Sequence, residues 1–101
     1  MTNESLSVEP VKIPSDIWCN KELLSLGCPW LTPGCIRRLE ELLRPYHVVL
    51  EMGSGGSTVF FSKRTKKVIS IEPNKDWFQK VSSELSINGK IINEKNIISA
   101  N

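Results

Sequence analysis

From residue 48 onward the alternation of apolar and polar positions is regular enough to name elements. An apolar run, Val48-Val49-Leu50, leads through Glu51 into a glycine turn, Gly53-Ser54-Gly55-Gly56. A short apolar stretch follows, and a second run, Val68-Ile69-Ser70-Ile71, ends in Glu72. Two strand-length runs separated by a glycine turn and a helix-length stretch predict one βαβ unit. Its first strand covers residues 48–52, its helix residues 57–63, and its second strand ends at residue 71. The first strand is apolar on both faces until Glu51, as expected of a central strand covered by helices on both sides. Beyond it, Asn74 is placed to cap a third helix whose buried stripe is Trp77, Phe78, Val81 and Leu85 and which Asn88-Gly89 closes. Lys90-Ile91-Ile92-Asn93 reads as a short third strand, and Ile97-Ile98 as a final apolar pair.

Upstream, residues 1–16 carry Pro10 and Pro14 and show neither period, which predicts an extended or disordered arm. Residues 17–46 form a helical lead-in. Asn20 is placed to cap a short helix that runs through Leu26 and ends at Gly27. Thr32-Pro33 is a helix start with a mechanism, since the hydroxyl accepts an orphan N–H and proline fills the first helical position. Cys35, Ile36, Leu39, Leu42 and Leu43 then line one face, predicting an amphipathic helix that packs on the sheet with Arg37, Arg38, Glu40 and Glu41 pointing away. The third region, residues 47–101, holds the βαβ unit and its extension. Trp18 and Trp30 fit either a lid over a ligand or packing on the domain's flank, and packing is the expectation.

Charge and composition remove several function classes. Thirteen basic and eleven acidic side chains nearly cancel, so no global field recruits nucleic acid or an anionic membrane. The one basic cluster, from Ser62 to Lys67, joins a helix to the start of a strand, at the end of the sheet opposite the crevice, and reads as a solvated loop. No stretch resembles a secretory leader or a membrane span, so the expectation is a soluble, cytoplasmic protein. Cys19, Cys28 and Cys35 lack metal-ligand or disulfide spacing and read as reduced thiols, with no metal site. His47, alone before the first strand, reads as a boundary residue.

The crevice carries the candidate chemistry. In a parallel sheet, ligands bind beyond the carboxyl ends of the strands, where Glu51, the glycine loop and Glu72 converge. A P-loop would need lysine after its last glycine, and a dinucleotide fingerprint would need glycine or alanine at position 58, where Thr58 stands. A carboxylate two residues before the first glycine also repels a pyrophosphate. It suits a ligand that carries cationic groups and no phosphate. Glu72, nineteen residues after Gly53, stands where an acid can accept from both hydroxyls of a ribose.

These residues, with Trp30-Leu31-Thr32-Pro33 upstream and Asp76-Trp77 downstream, resemble the first two sequence motifs of class I S-adenosylmethionine-dependent methyltransferases, over roughly residues 28–95. The resemblance implies that Glu51, Gly53 and Gly55 surround the methionine portion of S-adenosylmethionine, that Glu72 holds its ribose, and that Ser54, Gly56 and Ser57 belong to the same cofactor-binding loop. The loop departs from the commonest pattern, E/D-x-G-x-G-x-G, by placing Gly56-Ser57 where x-G is expected. The implied fold is a partial Rossmann-like α/β domain: about three parallel strands in the order 3-2-1, helices on both faces, and the helical lead-in before them. The family's later strands, which carry the acceptor and any catalytic base, have no counterpart in these residues, so neither a catalytic residue nor the acceptor substrate is named. The first strand is thereby left at an open edge, which predicts a fragment, self-association, or a partner chain at that edge. A non-catalytic partner-binding or regulatory module is the alternative reading.

Overall fold

The computed structural model describes residues 8–88, 91–94 and 97–100, with side chains described up to residue 85 and again from residue 97. Its elements in chain order are α1 (Leu23–Leu26), α2 (Pro33–Leu42), β1 (Val48–Met52), α3 (Gly56–Ser62), β2 (Lys67–Ile71), α4 (Lys75–Asn88), β3 (Ile91–Glu94) and β4 (Ile97–Ala100). The proposed closing residue of α4, Gly89, and the proposed start of the third strand, Lys90, lie outside the described residues.

Local chemistry accounts for most boundaries. Thr32 caps α2, its Oγ1 accepting from the Cys35 amide at 3.3 Å, with Pro33 in the first turn. Asn74 caps α4, its Oδ1 accepting from the Trp77 amide at 2.9 Å. Gly27 ends α1 in the left-handed conformation, φ +66°. Asn20 departs from expectation: its Oδ1 accepts from the Glu22 amide, which folds the turn before α1 rather than capping the helix itself.

The sheet has four strands in the order β1-β2-β4-β3 and is mixed, which corrects the all-parallel, three-stranded expectation. β1 and β2 are parallel, with Val48 opposite Lys67 and Met52 opposite Ile71. β4 runs antiparallel to both β2 and β3 and lies between them, so β3 and β2 are not neighbours. The cause is the short segment after β3. Two residues separate it from β4, too few for a crossover, so the chain can only double back.

Among the described residues, helices cover one face of this sheet, not both. Val59 of α3 and Val81 and Leu85 of α4 pack on Val68, Ile98 and Ala100, with Val49 and Trp77 against them. The opposite face carries Val48, Leu50 and Met52, which are 59%, 69% and 78% exposed, together with Ile69, Ile71 and Ile97. The amphipathic α2 does not pack on the sheet either. Its Ile36 joins Val11, Ile17, Cys28 and Phe60 in a second core, built on the outer side of α3.

That second core is tied down by a charged clamp. Glu40, expected on a solvated face, turns inward: its Oε2 accepts from the Val11 amide at 2.7 Å and lies 3.6 Å from the Arg64 guanidinium. Arg64 belongs to the basic cluster read as a solvated loop, yet it stacks 4.0 Å above the Phe60 ring and donates to the Phe60 and Glu9 carbonyls at 3.0 Å. Burial lowers its pKa and Glu40 opposes the shift. Residues 8–14 have no helix or strand, but the clamp and buried Val11 hold them against α2 and α3.

Candidate functional site

β1 and β2 end side by side, and the Gly53 amide donates to the Ile71 carbonyl at 2.8 Å. That bond sets the glycine loop directly over the tip of β2. Gly53 takes φ +90°, a conformation that a side chain would strain, and so lets the chain turn back toward α3. Glu51 and Glu72, at the two strand ends, therefore both reach the loop, each through a different hydroxyl set.

Glu51 is the anchor of the loop. Its Oε1 accepts from Thr58 Oγ1 at 2.6 Å and from buried Ser70 Oγ at 2.7 Å, and its Oε2 accepts from Ser57 Oγ. Thr58 Oγ1 in turn accepts from the Gly55 amide at 3.0 Å, which fixes the first turn of α3. A carboxylate offers about four lone-pair sites, so Glu51 has about one left for a ligand.

Glu72 is 7% exposed. Its Oε1 accepts from Ser54 Oγ at 2.7 Å and its Oε2 from the Asn74 amide at 3.1 Å. Counted against the described residues, about two acceptor positions remain, the number that a vicinal diol needs.

Beside the loop opens a cleft of about 600 Å³. Ser54, Gly55, Gly56 and Ser57 form one wall, and Trp77 and Lys80 of α4 another. The lead-in closes the third side with Trp18, Lys21 and Trp30. Trp77 is fixed by its Nε1, which donates to the Ser54 carbonyl at 2.7 Å. Trp18 and Trp30 remain 58% and 64% exposed and meet edge to face with centroids 5.7 Å apart. They stand at the cleft rather than being packed away on the flank.

The residues proposed from sequence thus divide. Ser54, Gly55, Gly56 and Ser57 line the cleft, whereas Glu51, Gly53 and Glu72 do not. Gly56 also has a packing reason to be glycine: a Cβ there would overlap the Cys28 carbonyl oxygen and stand 2.7 Å from that of Leu23. The extra glycine that departs from the expected motif is where the lead-in backbone rests on the loop. Sequence reasoning missed Thr58 and Ser70 as partners of Glu51. Thr58 could have been found, since it lies at the third helical position after the loop, where a side chain reaches back to the cap.

Among the described residues, no group of three His, Cys, Asp or Glu side chains is arranged to hold a metal ion, and no helix is long and apolar enough to cross a membrane. Arg37 and Arg38 pair with Glu40 and Glu41 at 2.7 and 3.0 Å along α2. His47 Nδ1 accepts from the Arg44 amide at 3.0 Å, at the turn into β1. Comparison with family models, curated proteins and solved structures gave no match.

Proposed function

We propose that the ends of β1 and β2 form the S-adenosylmethionine-binding part of a class I, Rossmann-like methyltransferase. The observation that carries this reading is the pair of carboxylates on adjacent parallel strand ends, joined through one glycine loop, with about two acceptor positions left on Glu72. Glu72 would take the two ribose hydroxyls. Glu51 would act mainly through the loop, holding Ser57 and Thr58 so that the amides after Gly53 keep their course. Carboxylates at the strand ends favour a sulfonium and an ammonium over a phosphate. When bound, the cofactor supplies the electrophilic methyl group. The residues here bind and orient it, and none of them is assigned to the acceptor or to a base. The three free thiols fit a reducing, cytoplasmic setting.

The test is a thermal-shift titration with S-adenosylhomocysteine, with NAD as control. A ligand at a hundred times its dissociation constant adds about 2.7 kcal/mol to a folded site. Stabilisation by the homocysteine compound alone supports the reading, and no shift with a demonstrably folded protein overturns it.

A second reading has its own observation. Val48, Leu50 and Met52 are exposed along an edge strand, on the face that no described helix covers. A module that binds a protein partner, or a second copy of itself, through β1 would use that surface whether or not it holds a nucleoside. Capture of a partner at β1 by a protein with no nucleoside affinity would favour this reading.

A further inference from the structure

The chain has three tryptophans, and all three line the cleft beside the glycine loop. Two of them, Trp18 and Trp30, come from the lead-in and are more than half exposed, so burial in the core does not explain their position. The third, Trp77, is held in place by its hydrogen bond to the Ser54 carbonyl, which gives the cleft one fixed aromatic wall. Indole faces favour a flat ring, and clefts of this size hold small molecules.

Charge decides what the ring carries. Lys21 and Lys80 line the cleft, and among the described residues no aspartate or glutamate does. Glu51 and Glu72, at the strand ends behind the loop, contribute nothing to the lining. The carboxylates contact the loop from the strand ends and the lysines face it across the cleft, so the two sides of the loop differ in sign. A cationic ligand suits the carboxylates, and an anionic one suits the lysines.

We propose that this cleft binds a planar aromatic molecule bearing an anionic group, its ring against the indoles and its anion facing Lys21 and Lys80. The cleft shares Ser54–Ser57 with the S-adenosylmethionine reading but is lined by neither Glu51 nor Glu72, and the proposal does not depend on that reading. Its anion comes either from a carboxylate on the ring or from a phosphate on a nucleoside.

The test uses the three indole N–H signals of the 15N-labelled protein, all of which report on the cleft. The probes are 2-naphthoate, its uncharged counterpart 2-naphthamide, and adenosine 5′-monophosphate. Saturable shifts of the indole signals with naphthoate or the monophosphate are expected, and the tighter of the two identifies the source of the anion. Naphthamide should bind about tenfold more weakly than naphthoate, within the range for two solvent-exposed charge pairs. In Lys21→Gln/Lys80→Gln, naphthoate should weaken to the level of the amide while the amide is unchanged. Both lysines are exposed, so the variant should keep the wild-type fold, and its backbone spectrum checks this. Equal binding of naphthoate and naphthamide to the wild type, or unchanged naphthoate binding in the folded variant, would reduce the cleft to an apolar patch and overturn the proposal. Absence of saturable shifts with both anions would also overturn it. Stabilisation by S-adenosylhomocysteine is read separately and can succeed or fail without altering this result.

Discussion

At the scale of single residues, the glycine loop separates two requirements that look alike in a sequence. Gly53 is required by its own backbone, at φ +90°, whereas Gly56 is required by its neighbours, the Cys28 and Leu23 carbonyls. A Cβ on Gly55 would meet only the Trp77 ring, at an ordinary 3.6 Å. Gly56→Ala should therefore cost about 3 kcal/mol, the upper part of the usual range for overpacking, and Gly55→Ala clearly less, as read by urea denaturation. Cys28 gives a second residue-scale expectation. It is buried, its thiol donates to the Pro29 carbonyl at 3.5 Å, and burial raises its pKa, with Arg37 opposing and Glu40 adding to the shift. Since the folded state holds this proton longer than the unfolded chain does, the stability linked to it is present below the ordinary thiol value of 9.0 and is lost as pH rises through the folded value. A thiol reagent near neutral pH should modify Cys19 and Cys35 quickly and Cys28 only on unfolding, because the first two are exposed. Rapid labelling of all three in native protein would show that the second core is open.

At the scale of elements, the lead-in is part of the fold rather than an appendage. Arg64 and Glu40 join three segments that are far apart in sequence, namely residues 9–11, α2 and the end of α3. Arg64→Ala would leave Glu40 with Arg37 as its remaining counter-ion and expose the Phe60 ring. A loss of about 2 kcal/mol is expected, below the 3–5 kcal/mol of a fully buried pair because both groups retain some contact with water. Faster amide exchange at Val11 should accompany it, and unchanged exchange there would show that the arm is held by apolar packing alone. The sequence made local features of this kind readable only where the cause is local. The caps at Thr32 and Asn74, the strand β1 and the stripe of α4 follow from residues within a turn of one another, and they stand where expected. Glu40 and Arg64 were misread because their solvated alternative is locally as good, and only the arrival of Val11 and Glu9 decides between them. The place of β4 was likewise hidden. Ile97 and Ile98 look like an apolar pair until pairing with β2 makes them a strand. In the candidate site, the carboxylates and glycines were visible as a motif, but the cleft was not, because its walls come from α4 and a lead-in more than twenty residues upstream of the loop.

At the scale of the whole molecule, the described helices lie on one side of a four-stranded sheet, and among the described residues an apolar face and the edge strand β1 are exposed. Alternate residues of an edge strand direct their N–H and C=O groups outward. In β1 these are Val48, Leu50 and Met52, since His47 and Gly53 bond inward to Lys66 and Ile71. The same three residues place their exposed side chains on the open face, so edge and face form one apolar surface with no proline to blunt it. Sedimentation should show concentration-dependent association that Leu50→Lys suppresses, and a monomer at all concentrations would remove the case for a partner at β1. The other end of the same two strands carries the central claim, and it is tested most directly by calorimetric titration of S-adenosylhomocysteine and its 2′-deoxy analogue on wild type and Glu72→Gln. If Glu72 receives the ribose, removing the 2′-hydroxyl should weaken binding to wild type by about 1.5–3 kcal/mol, the range for hydrogen bonds to a charged group, and by much less in Glu72→Gln. Equal affinity of the two compounds for wild type, or no binding of either to folded protein, would contradict it.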